Sequence, residues 1–168
     1  MMADKEDLKR LKQGVKVWNE WRRQDMNARP DLSGAKLKGL DLSYVNWMVT
    51  DLSGADLSGC NLKQAYLTHA NLQGANLAGA AIKRTDLRNT NLVNADLTGV
   101  EGFEGLFVRA MLHQTKFAGS DLRDSIWISA FLNEVDFTDC DLTGADFSSA
   151  KINGLIMVGT KGFKLSYP

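Results

Sequence analysis

The sequence predicts an all-β solenoid, a chain wound into a tube, preceded by an N-terminal α-helix. Large apolar residues recur at every fifth position from Leu32 to Met157, and small residues recur two positions before many of them. The first 29 residues instead show apolar side chains at helical spacing. Repeats of this kind stack so that each unit buries its core against its neighbours.

The N-terminal segment, residues 1–29, is predicted to hold one amphipathic helix over about residues 5–24. Its apolar residues at helical spacing are Leu8, Leu11, Val15 and Trp18. Gly14 lowers the helix propensity locally. The segment carries eight basic and five acidic residues, a balance too even for nucleic-acid targeting. We interpret it as a helical cap over the apolar end of the tube, with a partner-binding helix as the alternative.

The five-residue period fits neither a regular helix nor a regular strand. Five steps turn a helix by about 500°, and on a strand they reverse the face each time. The chain must therefore turn once per five residues, with the same position always facing inward. Of 26 such positions, 25 hold a large apolar residue, and the exception is Gly102.

The other positions of the repeat also have a physical role. The small residues are predicted to form a second inward row, as at Ala55, Ala65 and Cys60. Asp or Asn often precedes the large residue, and its side chain can bond to nearby backbone at a corner. Gly is frequent two residues after the large one, where a turn needs a positive φ.

The blocks ADLSG, ANLQG, ANLAG, ADLTG and GADFS share the pattern A-[D/N]-L-x-x, which resembles the pentapeptide-repeat family of bacterial proteins, common in cyanobacteria. The resemblance covers residues 30–160 and implies a right-handed quadrilateral β-helix with four pentapeptides in each coil. The 26 blocks then make about 6.5 coils. Residues 161–168 form a C-terminal tail, in which Phe163, Leu165 and Tyr167 are available to cover the last coil.

Four blocks per coil place residues twenty apart on top of one another. Phe117 is then expected on Phe137, and Trp127 between Phe107 and Phe147. The stretch TGVEGFEGLF, residues 98–107, interrupts the motif. Either one side of the coil is distorted in place or residues 99–105 bulge out as a loop, and we favour the loop.

No catalytic residue, metal site or cofactor is expected. His69 and His113 fall at outward positions on different coils without a carboxylate or cysteine at ligand spacing. The Asp and Asn ladders recur on every coil, as a structural element would. Cys60 and Cys140 lie four coils apart, about 19 Å at the spacing of stacked strands, which is too far for a disulfide.

The residues that depart from the motif are apolar side chains at outward positions. Twenty-residue stacking brings six of them together on two adjacent coils: Leu106, Val108, Met111, Ile126, Ile128 and Phe131. We call this set the apolar patch. Contiguous patches of this kind commonly mark an interface. The alternative is that residues 99–105 or the C-terminal tail fold over it.

The sequence thus favours a non-enzymatic protein-interaction or scaffold module with an unidentified protein partner. A homodimer through the C-terminal coil or the apolar patch is a second partner hypothesis. The alternative function is that of a DNA-mimicking modulator of DNA gyrase or topoisomerase, known in the family. Mimicry needs dense negative charge, whereas residues 31–168 carry 15 acidic and 12 basic side chains. We expect no nucleic-acid partner, no membrane span and a cytoplasmic location.

Overall fold

Two N-terminal helices precede a parallel β-solenoid. The computed structural model describes residues 2–165. Helix α1 spans Lys5–Leu11 and helix α2 spans Val15–Gln24. Three short strands then pair in parallel in the order β1-β2-β3: Met111–His113, Phe131–Asn133 and Lys151–Asn153. The rest of the tube is joined by single parallel bridges between residues twenty apart.

The twenty-residue register divides the tube into four faces. We call them face 1, face 2, face 3 and face 4, after the columns of inward residues that begin at Leu32, Leu37, Leu42 and Trp47. Each bridge joins two residues that are twenty positions apart. The first joins Asp31 with Asp51 and the last joins Asp141 with Lys161, which confirms the predicted stacking. Each inward position from Leu32 to Phe147 is buried. The core is therefore one continuous column inside the tube.

Where Asp or Asn precedes the inward side chain, its side chain closes a local turn, as predicted. Asp31 Oδ1 accepts a hydrogen bond from the backbone N–H of Ser33 at 2.8 Å, and Asp51 Oδ1 accepts one from Ser53 at 2.9 Å. The next residue has a left-handed backbone, as at Gly54 with φ of 63°. Such φ values favour glycine because it has no Cβ.

The small inward row makes hydrogen bonds that the sequence reasoning did not anticipate. Thr115 Oγ1 donates to the carbonyl of Leu92 at 2.9 Å, and Cys140 Sγ donates to that of Phe117, also at 2.9 Å. In both pairs the acceptor lies 23 residues earlier. Thr115 and Cys140 can therefore replace Ala in this row because a carbonyl of the preceding coil accepts their hydrogen.

The loop predicted at residues 99–105 does not form. Glu101 bridges both Ala81 and Asp121, so this block lies in the wall like its neighbours. Gly102 holds the inward position, and a Cβ there would lie 2.8 Å from Cδ2 of Leu122. The coil keeps its shape because the side chain of Leu122 occupies the space that a large residue at 102 would need.

The predicted single helix over residues 5–24 is also wrong in one respect, because the chain breaks between α1 and α2. Gly14 precedes α2 with a φ of 105°, which a glycine adopts readily. Both helices contact the first coil. Trp18, fully buried, donates from Nε1 to the carbonyl of Asn46 at 2.7 Å. Arg22, also buried, donates to the carbonyls of Met48 and Ala28.

At the other end of the tube, Phe163 packs edge-on against Phe147, with 5.0 Å between ring centroids. Leu165 is exposed, and Tyr167 lies outside the described residues. Within residues 2–165, neither helix is long and apolar enough to cross a membrane.

Candidate interaction surface

The apolar patch lies at the corner between face 4 and face 1. Leu106 bridges Ile126 on face 4, and Met111 pairs with Phe131 on face 1. Met111 and Phe131 are 47% and 44% exposed, and the other four members are half-buried. The structure therefore brings all six predicted residues together on the surface of two adjacent coils.

Polar residues take over at the same positions in the neighbouring coils. Asp86 bridges Leu106 on one side of the patch, and Asp146 bridges Ile126 on the other. Burial alone would raise the pKa of Asp86, but hydrogen bonds from the side chain and backbone N–H of Arg88 hold this pKa below its usual value. The hydroxyl and the backbone N–H of Ser148 lower the pKa of Asp146. Ionised carboxylates thus bound the patch along the tube axis.

Neither residues 99–105 nor the described part of the C-terminal tail covers the apolar patch. Residues 99–105 are part of the wall, and Phe103 sits on face 3 between Lys83 and Arg123. The described part of the tail, up to residue 165, leads to Phe163 at the end of the tube. Met111 and Phe131 are therefore exposed to solvent, and the other four apolar side chains are partly exposed.

A shallow groove of about 480 Å³ runs beside Met111 and Phe131. One wall is the face 1 column of Met111, Phe131 and Lys151. The other wall is the corner column after face 4: Asn89, Arg109, Ser129 and Ser149. The ammonium group of Lys151 lies 5.0 Å from the centroid of the Phe131 ring. We call this feature the corner groove.

Among residues 2–165, the histidines and the cysteines lie apart from one another on the tube. Nδ1 of His113 hydrogen-bonds to the amide of Asn133 on the next coil, whereas His69 lies at a corner elsewhere. Cys60 and Cys140 are buried and unpaired. Burial raises the pKa of both thiols, that of Cys140 to about 11. Across residues 2–165, no group of His, Cys, Asp and Glu side chains is arranged to hold a metal ion.

A basic cluster on face 3 was missed by the sequence reasoning. Lys83 and Arg123 approach the Phe103 ring at 5.0 and 5.8 Å from its centroid. Lys63 joins them along a second groove of about 430 Å³, which Glu101 and Asp121 also line. The detectable signal was the twenty-residue spacing of these four basic and aromatic positions. Asp121 pairs with Arg123 at 2.7 Å, so this cluster is partly neutralised.

Comparison with known proteins identifies the repeat. The family model described as "Pentapeptide repeats" matches in eight copies, over residues 31–68, 60–99 and 115–154. No curated protein matches this sequence. The family assignment rests on these repeat matches.

Solved structures give a weaker likeness. HetL, a pentapeptide repeat protein involved in heterocyst differentiation regulation from the cyanobacterium Nostoc sp. strain PCC 7120, is 28% identical, with a TM-score of 0.34. The match covers 81% of this chain and 64% of HetL, so this chain spans less than two thirds of that protein. Rfr23 from the cyanobacterium Cyanothece 51142 is 20% identical over 88% of this chain and 97% of that one, with a TM-score of 0.36. QnrB1, a plasmid-mediated fluoroquinolone resistance protein, is 20% identical over 76% and 79% of the two chains, with a TM-score of 0.46.

Proposed function

The chain belongs to the pentapeptide-repeat family, and on that basis we propose that it is a non-enzymatic protein-interaction module whose contact surface is the apolar patch. The observation that carries the proposal is the placement of six apolar side chains at outward positions of two adjacent coils. The free energy falls when a partner covers apolar groups that face water. Contiguous patches rimmed by polar residues commonly mark such contacts.

The patch also differs from what the repeat itself requires. Ile126 bridges Asp146, and Leu106 bridges Asp86, so carboxylates serve at the same column without loss of the register. An apolar residue at Leu106 or Ile126 is therefore not needed to build the wall. This supports a role in binding rather than in folding.

The test is a pull-down with the wild-type chain and the Ile126→Asp, Ile128→Asp double variant, combined with sizing. The aspartate at 126 copies the native Asp146 in the same column, so the variant is expected to fold. We expect the wild type to retain a specific partner, or to elute as a dimer, and the variant to lose that behaviour. Recovery of the same proteins and identical elution by both would contradict the proposal.

Ile156→Asp, Val158→Asp is the matched control. These two residues flank an inward residue as Ile126 and Ile128 do, but they are exposed on face 2 of the last coil. If the patch is the contact surface, this variant keeps the partner. If the control alone changes the elution volume, self-association runs through the C-terminal coil, which is one of the two homodimer routes that the sequence predicts.

The proposal also includes the handedness of the tube, its cross-section, its number of coils and the roles of its two ends. We infer a right-handed quadrilateral tube of about 6.5 coils, with residues 1–29 acting as its N-terminal cap and residues 161–168 as its tail. The hydrogen bonds from Trp18 and Arg22 to carbonyls of the first coil support the cap role. Because the side chains of α1 and α2 pack on the core, removing them is expected to expose apolar surface. The cytoplasmic location stays a prediction.

DNA mimicry directed at gyrase is the second candidate function. Several late carboxylates favour it, including Asp121, Asp141 and Asp146. Arg123 pairs with Asp121, and Arg88 pairs with Asp86, so part of the negative charge is neutralised on the surface. A groove built for phosphates would meet these cations as well. A gyrase supercoiling assay that shows inhibition or protection at moderate protein excess would favour mimicry over the interaction module.

A further inference from the structure

We propose that the corner groove binds a short extended segment of the partner that carries a carboxylate next to a large apolar side chain. This inference rests on the proposed function and names the chemistry that the surface recognises. Its basis is the composition of the two walls. One offers Met111 and Phe131, and both offer a cation, at Arg109 and Lys151.

Charge complementarity selects an acidic segment. The corner groove carries two cations, and no Asp or Glu is among the described residues that line it. Within residues 2–165, neither Arg109 nor Lys151 forms an ion pair. The basic cluster on face 3 differs in this respect because Asp121 already pairs with Arg123 there. The cations of the corner groove are therefore free to pair with carboxylates of another chain.

The nearby carboxylates on the same two faces are engaged elsewhere. Glu134 accepts a hydrogen bond from the Gln114 amide at 2.8 Å, and Asp146 accepts one from the backbone N–H of Ser148, also at 2.8 Å. Neither carboxylate lines the corner groove, so a segment that lies in the groove contacts the two cations and not these anions.

The dimensions select a short extended segment. Met111, Phe131 and Lys151 stand in one column, so the wall spans two steps of about 4.8 Å, or about 10 Å. An extended chain rises about 3.3 Å per residue, so about three residues lie along this wall. A stable protein dimer needs about 800 Å² from each partner, far more than a groove of this length supplies. A peptide segment with the apolar patch beside it is the better match.

Each wall has a distinct role in this arrangement. The apolar side chain of the segment packs on Met111 and Phe131, where Lys151 already lies over the ring. The carboxylate reaches Arg109, whose planar guanidinium can bind both of its oxygens. The hydroxyls of Ser129 and Ser149 lie along the same wall and can bond to the backbone of the segment.

The experiment is a selection of short random peptides displayed on phage against the full chain, with counter-selection against the Arg109→Glu, Lys151→Glu variant. We expect enriched peptides with net negative charge and with Asp or Glu next to Leu, Ile or Phe. A labelled enriched peptide should bind the variant roughly tenfold more weakly than the wild type or worse. Its binding should also weaken as salt is raised.

Lys63→Glu, Lys83→Glu is the control, because it makes the same change in net charge on face 3. It should leave peptide binding unchanged, and equal loss in both variants would show a general charge effect and overturn the inference. Neutral or basic enriched peptides, or no enrichment, would also overturn it. If the pull-down still depends on Ile126 and Ile128 in that case, the interaction module stands and only the acidic segment is wrong. If the acidic peptides are not enriched and the pull-down also does not depend on Ile126 and Ile128, the proposed function is wrong as well.

Discussion

The indole ring of Trp127 lies parallel to the phenyl ring of Phe107, with 4.0 Å between ring centroids and 2° between ring planes. Both residues belong to face 4, twenty positions apart. Across the tube, Phe117 on face 2 meets Trp127 edge-on, at 5.4 Å and 83°. Rings therefore stack along a face and meet edge to face between opposite faces. Such pairs add about 0.5–1.5 kcal/mol beyond the burial of area.

Trp127→Ala is expected to lower the free energy of unfolding by about 3–5 kcal/mol, because it removes a large buried side chain and leaves a cavity. Trp127→Phe should cost much less, because Phe already serves at 107 and 147 in the same column. Ser125, which accepts a hydrogen bond from the indole, still donates to the carbonyl of Leu122 in either variant. Urea unfolding followed by circular dichroism measures both. Equal midpoints for the alanine variant and the wild type would refute this packing.

Gly102→Leu is expected to destabilise the tube by about 1–3 kcal/mol through overpacking. A Cβ at 102 would already lie 2.8 Å from Cδ2 of Leu122 and 3.4 Å from Cδ1 of Ile82. Truncating Leu122 to Ala makes room, so the double variant should be more stable than the sum of the two single effects predicts. Additive effects in a double-mutant cycle would contradict the packing described here.

The sequence predicted the periodic features of this fold well and the exceptions poorly. Because large apolar residues recur at every fifth position, the sequence itself indicates which positions face inward. The inward column and the stacking of Phe117 on Phe137 followed directly from this. Gly102 appeared to be an interruption because the sequence does not show that Leu122 fills its place. Gly14 was recognised as a weak point of the predicted helix, but not as a break, since apolar spacing continues on both sides of it.

The surface was predicted in part. The apolar patch followed from the same register, because twenty-residue stacking places Leu106 beside Ile126. The unpaired cations of the corner groove did not follow, because the sequence does not show that Arg109 and Lys151 both lack an ion pair among residues 2–165. Buried Arg22 was missed for a similar reason: its carbonyl partners, Met48 and Ala28, are set by how α2 lies on the first coil.

Acid is expected to destabilise the protein, and Asp86 is expected to contribute. Burial acts to raise the pKa of Asp86 in the folded state, but hydrogen bonds from the side chain and backbone of Arg88 and from Thr68 together outweigh it and lower this pKa. The ionised form is therefore favoured by folding. The stabilisation is complete above the unfolded pKa of about 3.9 and is lost as the pH falls through the lower folded value.

Asp86→Asn tests this assignment, because asparagine keeps the oxygen that accepts from the Arg88 backbone but lacks the charge. The variant should be less stable than the wild type near neutral pH, and this difference should shrink towards pH 2 as Asp86 becomes protonated. Unfolding by urea across this pH range gives both curves. Parallel curves would show that Asp86 does not contribute to the acid dependence.

Cys140 is expected to react slowly with alkylating agents in the folded protein. Burial raises the pKa of this thiol to about 11, and the thiolate is the reactive form. At pH 8 we expect alkylation by iodoacetamide at least about a hundredfold slower than in the urea-unfolded chain, with the rate rising towards pH 11. A Cys60→Ala background isolates the signal. Reaction as fast as that of the unfolded chain would refute the burial.

The twenty-residue register has a consequence for how such chains can vary in length. Removing one block of five residues upstream of Leu106 would rotate everything after it by a quarter turn, so Leu106 and Ile126 would move to a neighbouring side of the rod. Removing four blocks would leave the orientation unchanged and shift the patch along the axis by about 4.8 Å. An insertion or deletion of five residues therefore rotates the surface that follows it, and one of twenty residues only shifts that surface along the axis. Homologues that differ by a multiple of twenty residues can present the same surface to the same partner.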